Sequence, residues 1–330
     1  MTRAPAGADL QFRIATGFED PALAPARWDR LLGEGTDVVF LTHAWQRLWW
    51  AAMGEQPLLI VLAERDGEPF ALAPLYAADG TLLLVGSGSA DYLDFVGRPD
   101  EQALAGMLET AREAVGQFSG IELYHVPVDS ATCGLLPAVA ARLELELHSE
   151  QEMAAPYADL SDVAILTQLT SRRSVRKEEA RMRRAAPLEV RVTTPGEAAE
   201  LTELFLRQHS ARWRAAGQES FELDGSRELV RAIVENGLRE GWARMTVLEW
   251  GGSPVAIDIG LIRGKTQLSW LVSRDPSIHD YSPGRVLRAH VVKAAAEAGV
   301  QRLDFGLGEE DYKLRDASGS RRVANWFMYP

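Results

Sequence analysis

Two stretches of the chain pair apolar runs around a glycine turn, and they resemble each other. The first is Leu59-Ile-Val-Leu-Ala-Glu64, a turn at Asp66-Gly67, then Pro69-Phe-Ala-Leu-Ala-Pro-Leu75. The second is Met245-Thr-Val-Leu-Glu249, a turn at Gly251-Gly252, then Pro254-Val-Ala-Ile-Asp-Ile259. Asp-Gly and Gly-Gly between apolar runs predict β-hairpins, because such turns need positive φ. Both copies read Glu-x-x-Gly-x-Pro-x-Ala, at Glu64, Gly67, Pro69, Ala71 and at Glu249, Gly252, Pro254, Ala256. A Trp-containing helical segment precedes each: His43–Met53, with Thr42 placed to cap it, and residues 197–216. After each hairpin the pattern predicts strand, helix, strand. In the first half these are residues 81–85, 101–115 and 121–126. In the second they are 266–272, a helix from Ser282 to about Ala298, and 303–306.

A repeat this long predicts two related units rather than a solenoid, whose periods are shorter. The expected fold class is α/β (α+β), each unit a mixed, mainly antiparallel sheet flanked by helices. The boundary is expected between residues 155 and 165, giving domains 1–158 and 159–330, with a basic helix opening the second. The halves differ at the start of the helix after the hairpin. The first has Asp100 and Glu101 there, which satisfy the helix dipole themselves and would repel an anion. The second has Ser282-Pro-Gly-Arg285, with no acid, and Pro283 suits the first turn. Backbone N–H groups at such an end bind anions, so the second half is the expected phosphate-binding half and the first a degenerate one.

Composition narrows the class. Of 330 residues, 46% are hydrophobic and 25% charged, as in ordinary globular proteins. No run reaches the ~18 apolar residues of a membrane span, and Met1-Thr-Arg-Ala-Pro-Ala-Gly is not a secretory signal. A lone Cys133 allows no internal disulfide. The expectation is a cytoplasmic protein, with strand edges that leave a homodimer open. A net charge of −12 argues against DNA as a partner. One basic cluster stands apart, Arg172, Arg173, Arg176, Lys177, Arg181, Arg183 and Arg184 against Glu178 and Glu179. It reads either as a solvated helix face or as a site for an anionic substrate or carrier. The six histidines show no ligand spacing, so no metal is expected.

Four ordered sets of residues add a family resemblance: His209-x-x-Arg212-Trp213, Ser282-Pro-Gly284, Leu303-Asp-Phe-Gly306 and Gly308-Glu-Glu-Asp-Tyr-Lys313. With the order hairpin, central strand, glycine turn, helix, strand, they resemble the Gcn5-related N-acetyltransferase (GNAT) fold. More narrowly they resemble the bacterial CelD/BcsL-like family associated with cellulose and exopolysaccharide synthesis, itself similar to Fem-type aminoacyl transferases. The resemblance is strongest from Leu160 to Lys313; in the first half Phe40, Trp45 and Asp91-Tyr92-Leu-Asp94 carry a looser one.

The resemblance implies acyl transfer from acyl-CoA, acetyl-CoA foremost, to an amine or hydroxyl of a small-molecule or saccharide acceptor. It places the donor's pyrophosphate around Ser282, Pro283, Gly284, Arg285 and Val286, and the thioester oxygen on a backbone N–H near Ser269 to Leu271. One glycine stands where the usual GNAT phosphate pattern has two, so Gly284 also reads as a simple turn residue. Asp258, an acid in an apolar strand and opposite in face to Ile257 and Ile259, is a candidate base or a structural strand acid. Asp304 and Glu310, at and beyond the strand flanking the cleft, are further catalytic candidates. Tyr312 is a proton donor to the leaving thiolate, and Lys313 a binder of phosphate or carboxylate. His209, Arg212 and Trp213 read as an acceptor-lining face or as core. A Fem-like transfer from charged tRNA and a non-catalytic scaffold are the alternatives.

Overall fold

The computed structural model describes residues 10–33, 36–150, 152–215, 217 and 225–330. The N-terminal heptapeptide and the end of the helix expected to reach Ala216 lie outside them. The two hairpins form as expected, and their shared motif has a geometric meaning. Strand β1 is Leu10–Ala15, and helices α1 (Pro25–Leu32) and α2 (His43–Met53) follow, the latter capped by the Thr42 hydroxyl. Strands β2 (Leu58–Arg65) and β3 (Glu68–Ala78) make the first hairpin, whose register slips between Ala63 and Glu64 so that Glu64 faces Pro69. Proline has no N–H for the ladder, and a bulge beside it accommodates that lack.

The first unit continues with β4 (Thr81–Leu84), β5 (Val96–Gly97), α3 (Glu101–Ala114), β6 (Gly120–Pro127), α4 (Ala131–Arg142) and β7 (Glu146–Ser149). Strand β4 runs parallel to β6 and every other pairing is antiparallel. The Asp100 carboxylate accepts the Ala103 N–H at 2.8 Å and occupies the start of α3.

The second unit is built from β8 (Met153–Asp159), α5 (Val163–Ser171), α6 (Arg173–Ala185), β9 (Leu188–Val192), α7 (Ala198–Ala215), α8 (Ser226–Glu240), β10 (Ala243–Trp250), β11 (Ser253–Arg263), β12 (Thr266–Arg274), α9 (Pro283–Glu297), β13 (Arg302–Asp304) and α10 (Asp311–Asp316). Its strand order is β8-β13-β12-β11-β10-β9, with β12 and β13 parallel and the rest antiparallel. The β10–β11 hairpin slips register between Leu248 and Glu249, and Glu249 faces Pro254, as in the first copy. Helices α7 and α8 pack Phe205, Leu206, Val230 and Val234 on Ile257 and Ile259. On the other face α6 and α9 pack Met182, Val286, Leu287 and Val291 on Ala256.

The last strand, β14 (Gly319–Tyr329), revises the expected domain limits. The compact units are residues 1–153 with 322–330, and residues 154–321. In the first unit β14 pairs β6 and β7 and buries Val323, Ala324 and Met328. Among the described residues no helix is long and apolar enough to cross a membrane.

Candidate functional site

The second unit opens where two of its strands part. The β12–β13 ladder covers Thr266 to Leu268 and ends at the Leu268–Asp304 pair. On its other side β12 slips against β11, since Ile259 faces Leu271 while Gly260 faces Ser269, leaving Trp270 as an extra residue. Such a bulge bends and twists a strand. Beyond it, residues 269–274 line a cleft of ≈ 820 Å³. The first two turns of α9, with Gly284, Arg285 and Arg288, contribute to the lining, as do Tyr281 and Ser282 before them. Glu310, Tyr312, Lys313 and Arg315 from α10 and its approach, and His209, Arg212 and Trp213 from α7, complete the wall.

Most of the sequence-predicted residues therefore meet at one cleft: Leu271, Ser282, Gly284, Arg285, Glu310, Tyr312, Lys313, His209, Arg212 and Trp213. Asp258 lies behind the wall, 3% exposed, reached through Ser269, whose hydroxyl donates to its Oδ2 at 3.0 Å. Asp258 Oδ1 is buried without a hydrogen-bond partner among the described residues. Burial pushes this carboxyl up to about 6, against the opposing influence of the Ser269 hydrogen bond and of Arg288. Asp304 is also buried and accepts the Gly306 N–H at 2.8 Å, shaping the turn that ends β13.

The start of α9 requires a correction. Its first turn carries no acid in sequence, yet the Ser282 N–H donates to Glu178 Oε1 of α6 at 2.9 Å. The Arg285 and Val286 N–H groups turn back to the Ser282 carbonyl, Pro283 has no N–H, and the Val286 side chain is core. The anion cradle expected around residues 282–286 is thus largely occupied by the protein itself. Arg181 of α6 secures the same loop, donating to the Asp280 carbonyl and lying 4.2 Å over the Tyr281 ring. Gly284 has no need of glycine geometry, as a Cβ there meets nothing within 4 Å.

Beyond β13, Glu310 is the N-cap of a short helix, and Tyr312 and Lys313 lie in its first turn. Lys313 is 6% exposed, donates to the Leu307 carbonyl and pairs with Glu310 at 3.1 Å. It braces the loop and has little charge left to offer a ligand. The Tyr312 ring carries the Arg288 guanidinium 4.0 Å over its face, and burial raises its phenol pKa. His209 accepts the Trp213 indole N–H on Nε2 at 3.1 Å, stacks on Phe205, and is held neutral by burial, its pKa down to about 4. Sequence reasoning named Ser269 for its backbone alone and missed its side chain's contact with Asp258, and it missed Arg288 and Arg315. Arg288 stands one helical turn after Arg285 and could have been found by that spacing.

Residues 170–314 match the family described as acetyltransferase (GNAT) domain. No curated protein matches the chain. Among solved structures it is similar to a conserved protein of unknown function from Bacteroides thetaiotaomicron VPI-5482, at 14% identity, covering 97% of this chain and 100% of that one with a TM-score of 0.66. It is similar to FemX at 13% identity, over 93% and 96%, with a TM-score of 0.64. A tandem GNAT protein from the clavulanic acid biosynthesis pathway matches at 14% identity, over 97% and 98%, with a TM-score of 0.51. At such identities the likeness is one of fold, and that fold is the tandem GNAT arrangement. With the family match over the second unit, the chain is an acyltransferase.

Proposed function

We propose that the cleft transfers an acyl group from acyl-CoA, acetyl-CoA foremost, to an amine or hydroxyl of a polar acceptor such as an amino sugar or polysaccharide precursor. The observation that carries this reading is the Ser269–Asp258 pair at the point where β12 leaves β13. Backbone N–H groups on the open edge of β12, Leu271 among them, supply donors for the thioester oxygen, where charge develops. The acceptor nitrogen or oxygen attacks the carbonyl carbon and the C–S bond breaks. The acceptor's proton passes to Ser269 Oγ as the hydroxyl proton moves to Asp258. A carboxyl titrating near 6 is ionised at neutral pH and still basic enough to serve. Tyr312, kept protonated by burial, returns a proton to the thiolate, with Arg288 over its ring to balance the phenolate. The CelD/BcsL-like resemblance directs the choice of acceptor towards saccharides.

The test is acetyl transfer from acetyl-CoA to glucosamine and related amino sugars. Ser269→Ala should lower kcat by about 10–100-fold and Asp258→Asn by about 10²–10⁴-fold, the range for a general base. Turnover untouched by either variant would refute the relay.

One observation favours a second reading, aminoacyl transfer from tRNA. Arg173, Arg176, Lys177 and Arg184 of α6 are exposed and form no ion pair among the described residues. Salt-sensitive tRNA binding that disappears when these four become Gln would support it.

A further inference from the structure

Four arginines converge beside the cleft on a smaller cavity of ≈ 130 Å³. Arg172 comes from the junction of α5 and α6, Arg285 and Arg288 from successive turns of α9, and Arg315 from α10. Arg285, Arg288 and Arg315 also line the cleft itself. The single carboxylate in the lining is Asp316, 7% exposed. Its Oδ1 accepts from Arg172 at 2.7 Å and from Arg315 Nε at 3.3 Å, and its Oδ2 from Arg288 at 3.0 Å. Arg285 makes no ion pair among the described residues.

Guanidinium groups remain protonated at any ordinary pH, so one carboxylate against four of them leaves the cavity strongly positive. A structural ion pair needs one arginine or two. Here Asp316 fixes three forks and uses few of the five N–H donors that each carries. Fixed arginine forks with spare donors are the geometry that recognises a tetrahedral oxyanion. The volume admits such a group, since ~30 Å³ is the share of one liquid water. The blocked start of α9, where Glu178 already takes the Ser282 N–H, leaves the arginines as the stronger anion site of this unit.

We infer that this arginine pocket binds the phosphoryl group of a substrate, with Asp316 as the positioning residue that holds the forks in place. The inference depends on the acyl-transfer reading only for which substrate carries the group, the CoA donor or a phosphorylated acceptor. The experiment titrates the full chain with inorganic phosphate at low ionic strength by ³¹P NMR. Variants are Arg172→Gln with Arg315→Gln, and separately Arg285→Gln, which breaks no contact to Asp316. Melting curves confirm that each is folded. Phosphate affinity should fall at least about tenfold in the double variant and measurably in Arg285→Gln, because charge-assisted contacts are lost in each. Failure of the wild type to bind phosphate, or equal binding by folded variants, overturns the inference.

The source is then read from acetyl-CoA against 3′-dephospho-acetyl-CoA. Affinity for either form that falls in the double variant assigns the pocket to the donor, and unchanged affinity for both assigns it to the acceptor. Phosphate binding without binding of any CoA would instead refute the acyl-CoA reading and leave the pocket standing.

Discussion

Asp258 sits on β11 among Ala256, Ile257 and Ile259, all buried. Its environment makes activity and stability pull in opposite directions. The carboxyl titrates near 6 in the fold against an ordinary 3.8, so the native state holds the proton more tightly than the unfolded chain does. The stability linked to it is complete below about pH 4 and is lost as pH rises through 6. Asp258→Asn should therefore melt higher than the wild type at pH 8, by about 2–3 kcal/mol in stability, and converge with it below pH 4. Thermal melts across that range check the claim, and a variant less stable at pH 8 would show the carboxylate to be structurally required. Asp258 was legible in the sequence as an acid in an apolar strand. Its partner Ser269 was not, because only the register between β11 and β12 places it there.

At the scale of elements, α6 does more than present positive charge. Glu178 caps α9 from a position 104 residues earlier in the chain, a separation that no local pattern reveals. Glu178→Gln should weaken this charge-assisted cap and cost about 1 kcal/mol of stability. It should also strengthen binding of phosphate and acyl-CoA severalfold by removing the competing anion, and calorimetry would read that gain. The hairpins were legible because turn glycines announce them, and the shared Glu and Pro of the repeat proved to mark the same bulge in each. Helix α8 is bounded by Gly225 and Gly241, both left-handed, a signal that the sequence reading passed over, whereas strand β9 and the short α10 lacked such signals.

At the scale of the molecule, the last nine residues belong with the first 153. Strand β14 pairs β6 and β7 there, and three of its side chains are buried. Deleting residues 322–330 should expose the edges of β6 and β7 and a strip of core. The melting temperature should fall by several degrees, with a rise in aggregation, measured by scanning calorimetry and light scattering. The sequence suggested a break near 155–165 because the repeat begins again there. It did not reveal that the chain's end completes the first unit, since strand pairing between distant segments leaves no local mark.

The central claim, that the cleft beside Ser269 takes an acyl-CoA donor, is tested most directly by calorimetric titration with acetyl-CoA and longer acyl-CoAs. Gly284→Glu is the control, since the open space at Gly284 lets it fold while placing a carboxylate in the cleft. Micromolar binding by the wild type that is lost in Gly284→Glu is the predicted result. Absence of binding to every CoA species, or equal binding by the variant, would contradict it.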